Sequence, residues 1–332
     1  MSSSNLFLAG GHHSRGAFFG AKRALLLLLG PMLVACAGPR PAPSVQLRAF
    51  LGASDDGAYS YAEISESPGA ALLARKVTVD ARGKQTSDQA LEPASAQAAL
   101  AAAAQAGAAA NRTVEAALGA VSMEGFSLER ATFLAAAEGS TRWSLEPVQG
   151  APCELILLDE EAELRISMRL PGGREELVLY RLPKVGRTRI EGVLLLPGAR
   201  RALARTLSVW SDGDSVYRLE GLAELDLGAA LATLLDARAV RALQTGRLAQ
   251  AREDLERAVR AAPRDAVAHY NLACAWALLG EEDKAILALG KAIDLEPEAL
   301  RDQALRDPDL DGIRHRVELK LMIEPRSEDL GE

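Results

Sequence analysis

Hydrophobic residues change their spacing twice along the chain. Over residues 45–226 they fall in short runs that alternate with polar residues, at 45–51, 59–64, 73–79, 142–145, 153–158, 163–170, 176–182, 190–196, 206–210 and 215–222. Side chains of a strand point alternately to its two faces, so each run predicts a strand with one buried side. The clearest case surrounds Pro171, Gly172, Gly173 and Arg174: Leu164, Ile166, Met168 and Leu170 share one face, and Arg165, Ser167 and Arg169 take the other. Two alternating runs joined by Pro-Gly-Gly predict a hairpin, and Ser211-Asp212-Gly213-Asp214 predicts a second. Between 92 and 118 the pattern is interrupted by an Ala-rich run, from Glu92-Pro93-Ala94-Ser95 to Ala110 and then 113–118, which predicts helix. The fold class expected is α+β, a mainly antiparallel β domain with an Ala-rich helical insertion, followed by a C-terminal helical array.

That array is predicted by a repeat with a step of 34 residues over 232–299. Gly246 recurs as Gly280, Ala251 as Ala285, Leu255 as Leu289, Ala258 as Ala292 and Pro263 as Pro297. The small residues let two helices approach closely, and each glycine closes a first helix. The period and these positions resemble the tetratricopeptide repeat, a helix–turn–helix unit that buries its apolar face by stacking on neighbours. The second copy is fuller, with Leu272, Ala273 and Trp276 where the first has Arg238, Ala239 and Ala242. The resemblance implies repeats at 232–265 and 266–299, a capping helix over 300–323, and a role in binding protein or peptide. It also implies a concave groove lined by Thr233, Asp236, Val240, Leu243 and Gln244 from the first repeat, and by Val267, Tyr270, Asn271, Cys274 and Leu278 from the second. Two repeats are few for a free-standing solenoid, so an open groove and a groove filled by the rest of the chain are both expected outcomes.

Beyond Pro297, Asp307-Pro308-Asp309-Leu310-Asp311-Gly312 and Glu318 match the spacing of a calcium loop. Arg314 and Leu310 do not suit that loop. The same residues resemble a closing turn of repeat arrays, in which the acids cap a last helix, here 313–323. Helix capping is the favoured reading, and no metal ligand is assigned.

The N-terminus is patterned differently again. Arg15, Lys22 and Arg23 precede Ala24 and five leucines, then Leu33, Val34, Ala35 and Cys36. The apolar core is too short for a spanning helix of about 20 residues. These residues resemble a bacterial lipoprotein signal with its lipobox. That resemblance implies cleavage before Cys36, acylation of Cys36, and lodging at the outer membrane facing the periplasm. Residues 1–35 are then a signal peptide, 36–44 a Pro-rich tether, 45–226 the β-rich domain of unassigned role, 227–325 the helical domain and 326–332 a tail.

Composition narrows the function classes. The 332 residues carry a formal charge of −7, with no basic block, which argues against a nucleic-acid partner. Histidine is absent between Ser14 and Ala268, so the β domain lacks the commonest general base. Asp159, Glu160, Glu161 and Glu163 read as an acidic turn rather than an acid/base pair. Cys153 and Cys274 read as two independent buried thiols. No catalytic residue and no cofactor is assigned. The sequence thus supports a lipid-anchored envelope protein, touching membrane through its anchor alone, whose repeats bind an exported protein or peptide in a scaffold or assembly role. The alternatives are an envelope hydrolase with its chemistry in the β domain, and a structural lipoprotein with no specific partner.

Overall fold

The computed structural model describes residues 45–323 except 67–71, 93, 95, 98–129, 138, 149–150, 199 and 213–214. The signal segment, the tether with Cys36, the tail 326–332 and nearly all of the Ala-rich run lie outside the described residues. Of that run, Ala94, Ala96 and Gln97 are helical, and Ala96 is fully buried. Among the described residues no helix is long and apolar enough to cross a membrane.

Every predicted strand forms. The twelve strands described are β1 (Val45–Ala53), β2 (Tyr59–Glu66), β3 (Leu73–Val79), β4 (Gln85–Ala90), β5 (Thr132–Ala135), β6 (Thr141–Val148), β7 (Ala151–Asp159), β8 (Glu163–Arg169), β9 (Glu176–Pro183), β10 (Arg187–Leu195), β11 (Arg201–Asp212) and β12 (Ser215–Asp226). They make an eight-stranded sheet, β4-β3-β2-β1-β12-β11-β10-β5, and a four-stranded meander, β6-β7-β8-β9. All neighbours are antiparallel except β1 and β12, which pair in parallel, Val45 opposite Arg218. That pairing joins the beginning of the domain to its end.

β4 and β5 were not expected. β4 reads Gln-Thr-Ser-Asp-Gln-Ala and is mostly exposed, so it has no apolar alternation to detect; backbone pairing with β3 makes it a strand. The β8–β9 hairpin turns where expected, with Gly172 at φ 68° and the Gly173 amide donating to the Leu170 carbonyl. Leu164, Ile166, Met168 and Leu170 are buried. Ser167, expected on the wet face, is buried too. The register slips between Ile166 and Ser167, which breaks the strict alternation there.

β12 runs without a linker into α1 (Leu227–Gln244), followed by α2 (Leu248–Ala261), α3 (Ala266–Leu278), α4 (Glu282–Leu295), α5 (Pro297–Arg306), a 3₁₀ turn (Pro308–Ile313) and α6 (Val317–Ile323). The Asp226 side chain caps α1 by accepting from the Ala229 amide, and Asp265 caps α3 by accepting from Val267 and Ala268. Each cap satisfies amides that a first turn would leave unpaired. α1 starts five residues ahead of the first repeat as read from the sequence, and its added turn carries Leu227, Ala230 and Leu231 into the β domain. There they share one core with Leu157, Ile166 and Met168 of the meander and with Val193, Ala202 and Leu225 of the larger sheet. The expected boundary at 226/227 separates strand from helix but does not separate two cores.

The expected capping helix over 300–323 is not one helix. α5 occupies its first part, a 3₁₀ turn follows, and α6 begins at Val317 rather than at Ile313. Pro308 supplies the physical reason, since it lacks an amide donor and disfavours helical backbone at Asp307.

Candidate functional site

The two helical hairpins repeat each other closely. Gly246 and Gly280 end α1 and α3 at φ 73° and 78°, the left-handed region that glycine enters without strain. Ala251, Leu255 and Ala258 of α2 and their equivalents Ala285, Leu289 and Ala292 of α4 are all fully buried. Arg238 explains why the first repeat departs from the second. Its Nε and Nη2 donate to Asp254 Oδ2 and Oδ1 at 2.7 and 2.6 Å, a fork that ties α1 to α2 where the second repeat has Leu272. Trp276 lies between Arg252 and Lys284, whose charged groups stand 5.5 and 4.4 Å from its ring centroid.

The structure decides between the two expected states of the groove: it is filled. Val240, Leu243, Val267, Tyr270, Asn271, Cys274 and Asp236 are buried, and only Thr233, Gln244 and Leu278 remain exposed. Reading the ten residues as an accessible lining is therefore corrected for seven of them. The N-terminal half of α1 is covered by the β domain, and α3 is covered by the 3₁₀ turn. Leu310 and Ile313 of that turn are fully buried in one core with Tyr270, Cys274, Leu300 and Leu319. A two-repeat stack has too few neighbours to bury its inner face, so the chain supplies the missing cover from both sides.

Two polar pairs cross between elements in the filled groove. Asn271 Nδ2 donates to Asp236 Oδ1 at 2.8 Å, linking α3 to α1. Tyr270 Oη donates to Asp307 Oδ2 at 2.9 Å, and Asp307 Oδ1 accepts from the Asp309 amide at 3.0 Å. Burial pushes the Tyr270 hydroxyl up, with Cys274 and Asp307 adding to the effect, and burial likewise pushes the Cys274 thiol far up. Burial, with Asp307 and Asp311 beside it, raises the Asp309 carboxyl to about 6. These partners are about 35 residues apart in sequence, so no local pattern announces them.

The calcium-loop set is not assembled. Asp307 and Asp309 turn inward, Asp311 accepts from Arg314 Nε at 2.9 Å on the surface, and Glu318 accepts from Arg316 Nη2 at 2.9 Å. The Asp307 cap serves the 3₁₀ turn and not a helix over 313–323. The acidic turn of the β domain is likewise occupied: Asp159 pairs with Lys184, Glu160 with Arg165, and Glu163 with Arg181 at 3.3 Å. Cys153 and Cys274 are buried free thiols, that of Cys153 pushed up to about 11 by burial.

Residues 266–298, the segment of α3 and α4, match the family model of the tetratricopeptide repeat. That segment carries a tetratricopeptide repeat, and it supports a role in protein–protein interaction. No protein of curated function matches the chain.

Proposed function

We propose that this chain is an envelope lipoprotein, held by acyl groups on Cys36, that works as a scaffold for an exported protein or peptide. The observation that carries the binding part of this reading is the distribution of exposed apolar side chains. The inner face of the repeats is filled, whereas Leu287 is 74 % exposed on α4, and Val317 and Leu321 are 64 % and 69 % exposed on α6. Apolar side chains left exposed gain from burial, and together in a patch they can form the core of an interface. The anchor rests on the sequence Leu33-Val34-Ala35-Cys36 behind a basic and then apolar segment. Several acyl chains on one residue give a lasting anchor, because each buried CH₂ contributes about 0.8 kcal/mol.

Two measurements test the halves separately. Cells fed labelled palmitate are expected to label the wild-type chain and not Cys36→Ala, which keeps residues 1–35 uncleaved; labelling of both overturns the anchor. A photo-crosslinking amino acid at Leu287 or Leu321 is expected to capture one discrete partner in intact cells, and the same probe at Asn271 to capture none. Capture from position 271 alone would return the interaction to the groove.

A further inference from the structure

Three metal-ligating atoms meet beneath the 3₁₀ turn. Cys274 Sγ, a carboxylate oxygen of Asp307 and one of Asp309 lie within 4.8 Å of one another, and all three residues are buried. Sγ stands 3.8 Å from Asp307 Oδ2. Asp307 is held in place by the Tyr270 hydroxyl and the Asp309 amide. Asp309 is not held in this way. It is 7 % exposed, and its Oδ2 has no hydrogen-bond partner. A buried carboxylate oxygen without a partner is costly and calls for an explanation. The nearby guanidinium of Arg314 does not supply one, because it donates to Asp311 Oδ1, the Leu305 carbonyl and the Asp307 carbonyl.

We propose that Cys274, Asp307 and Asp309 form a site for a divalent cation of borderline softness, with zinc as its occupant. The donor set decides the class. Calcium and magnesium take oxygen ligands, whereas a thiolate beside carboxylates suits zinc and its neighbours in the first transition row. Three protein ligands leave a fourth position for water or a partner's side chain. A surface cavity of about 220 Å³, lined by Asp302, Gln303, Arg306 and Asp307, adjoins the site at Asp307. Tyr270, bonded to Asp307, is the outer group that orients a ligand, as such groups do in metal sites. On binding, the Cys274 S–H bond breaks, its proton leaves to solvent and an Sγ–metal bond forms, with no change of oxidation state. The ion would fasten the turn that fills the groove to the helix it covers.

Cobalt(II) serves as the probe, because its bond to a thiolate gives a charge-transfer absorption that zinc lacks. The full chain, stripped with a chelator, is titrated with cobalt and then with zinc. One cobalt per chain is expected, with the charge-transfer band growing in step and vanishing as zinc displaces the probe. Cys36→Ser and Cys153→Ser are expected to leave the band unchanged, and Cys274→Ser to abolish it. Asp309→Asn, which keeps the side chain's size and removes its charge, is expected to weaken binding on the order of 10- to 100-fold. Absence of the band in the wild-type chain overturns the site whatever the variants do. Persistence of the band in Cys274→Ser, or unchanged affinity in Asp309→Asn with a wild-type melting curve, overturns it as well.

Discussion

Single side chains tie neighbouring elements to one another. Arg238 and Asp254 bind each other through two hydrogen bonds, and Asp254 is only 2 % exposed. Removing one partner of such a pair leaves a desolvated charge, so Arg238→Met is expected to cost on the order of 3 kcal/mol in urea unfolding. The double variant Arg238→Met, Asp254→Leu should recover part of that loss. Tyr270→Phe keeps the ring and deletes the donor to Asp307, for an expected loss of about 1–3 kcal/mol in the same assay. In the β domain, Glu63 accepts from Arg48 Nη2 at 2.6 Å and from Arg75 Nε at 2.7 Å, across β1, β2 and β3. Burial would raise Glu63, but the two guanidinium groups outweigh it and hold the carboxyl below its ordinary value. A carboxyl lowered by folding stabilises the native state above its unfolded pKa. Its contribution therefore fades as pH falls below about 4.5 through the lowered folded value. Unfolding curves of wild type and Glu63→Gln should converge as pH falls through that range. Curves that stay parallel from neutral pH downward would contradict it.

At the scale of elements, the helices obey their local signals and the turns fix where they stop. Gly246 and Gly280 have positive φ, and a Cβ at either would meet nothing within 4 Å. Substitution there tests backbone strain alone, and alanine at each is expected to lower stability by roughly 1–2 kcal/mol in thermal or urea unfolding. The 3₁₀ turn is held differently, by burial. Leu310→Ala would open a void in the filled groove and is expected to cost about 2–5 kcal/mol. Protection of α3 amides from hydrogen exchange should fall with it. If the turn were a loose cover, that protection would stay unchanged.

The whole molecule is organised by the way α1 belongs to two cores. Its first half packs with both sheets, and its second half packs with α2 and α3. A fragment of residues 227–332 would expose Leu231, Leu234 and Leu235, which are buried in the intact chain. It is expected to aggregate or stay unfolded, whereas the chain from residue 45 onward should melt in one transition followed by both near- and far-ultraviolet circular dichroism. A soluble, cooperatively folding repeat fragment would show that the two cores are independent.

What the sequence determined by itself is what short-range periodicity controls. Alternation at Leu164, Ile166 and Met168 set a strand and its inner face, because a strand's period is two. The 34-residue step from Gly246 to Gly280 set two helical hairpins, because closely packed helices need small residues and a left-handed stop at the same places. The polar strand β4, the parallel pairing of β1 with β12, and the contacts of Asn271 with Asp236 and Tyr270 with Asp307 were left to the tertiary structure. Each joins groups that the local pattern does not relate, and β4 has no pattern at all. The state of the groove was decided there too. Its lining residues were readable as inner-face positions of a repeat, but the same mixture of apolar and polar residues suits a partner or the chain's own cover. The β domain over α1, and the path of residues 297–323 bent at Pro308 so that Leu310 and Ile313 seat on α3, determined which of these it meets.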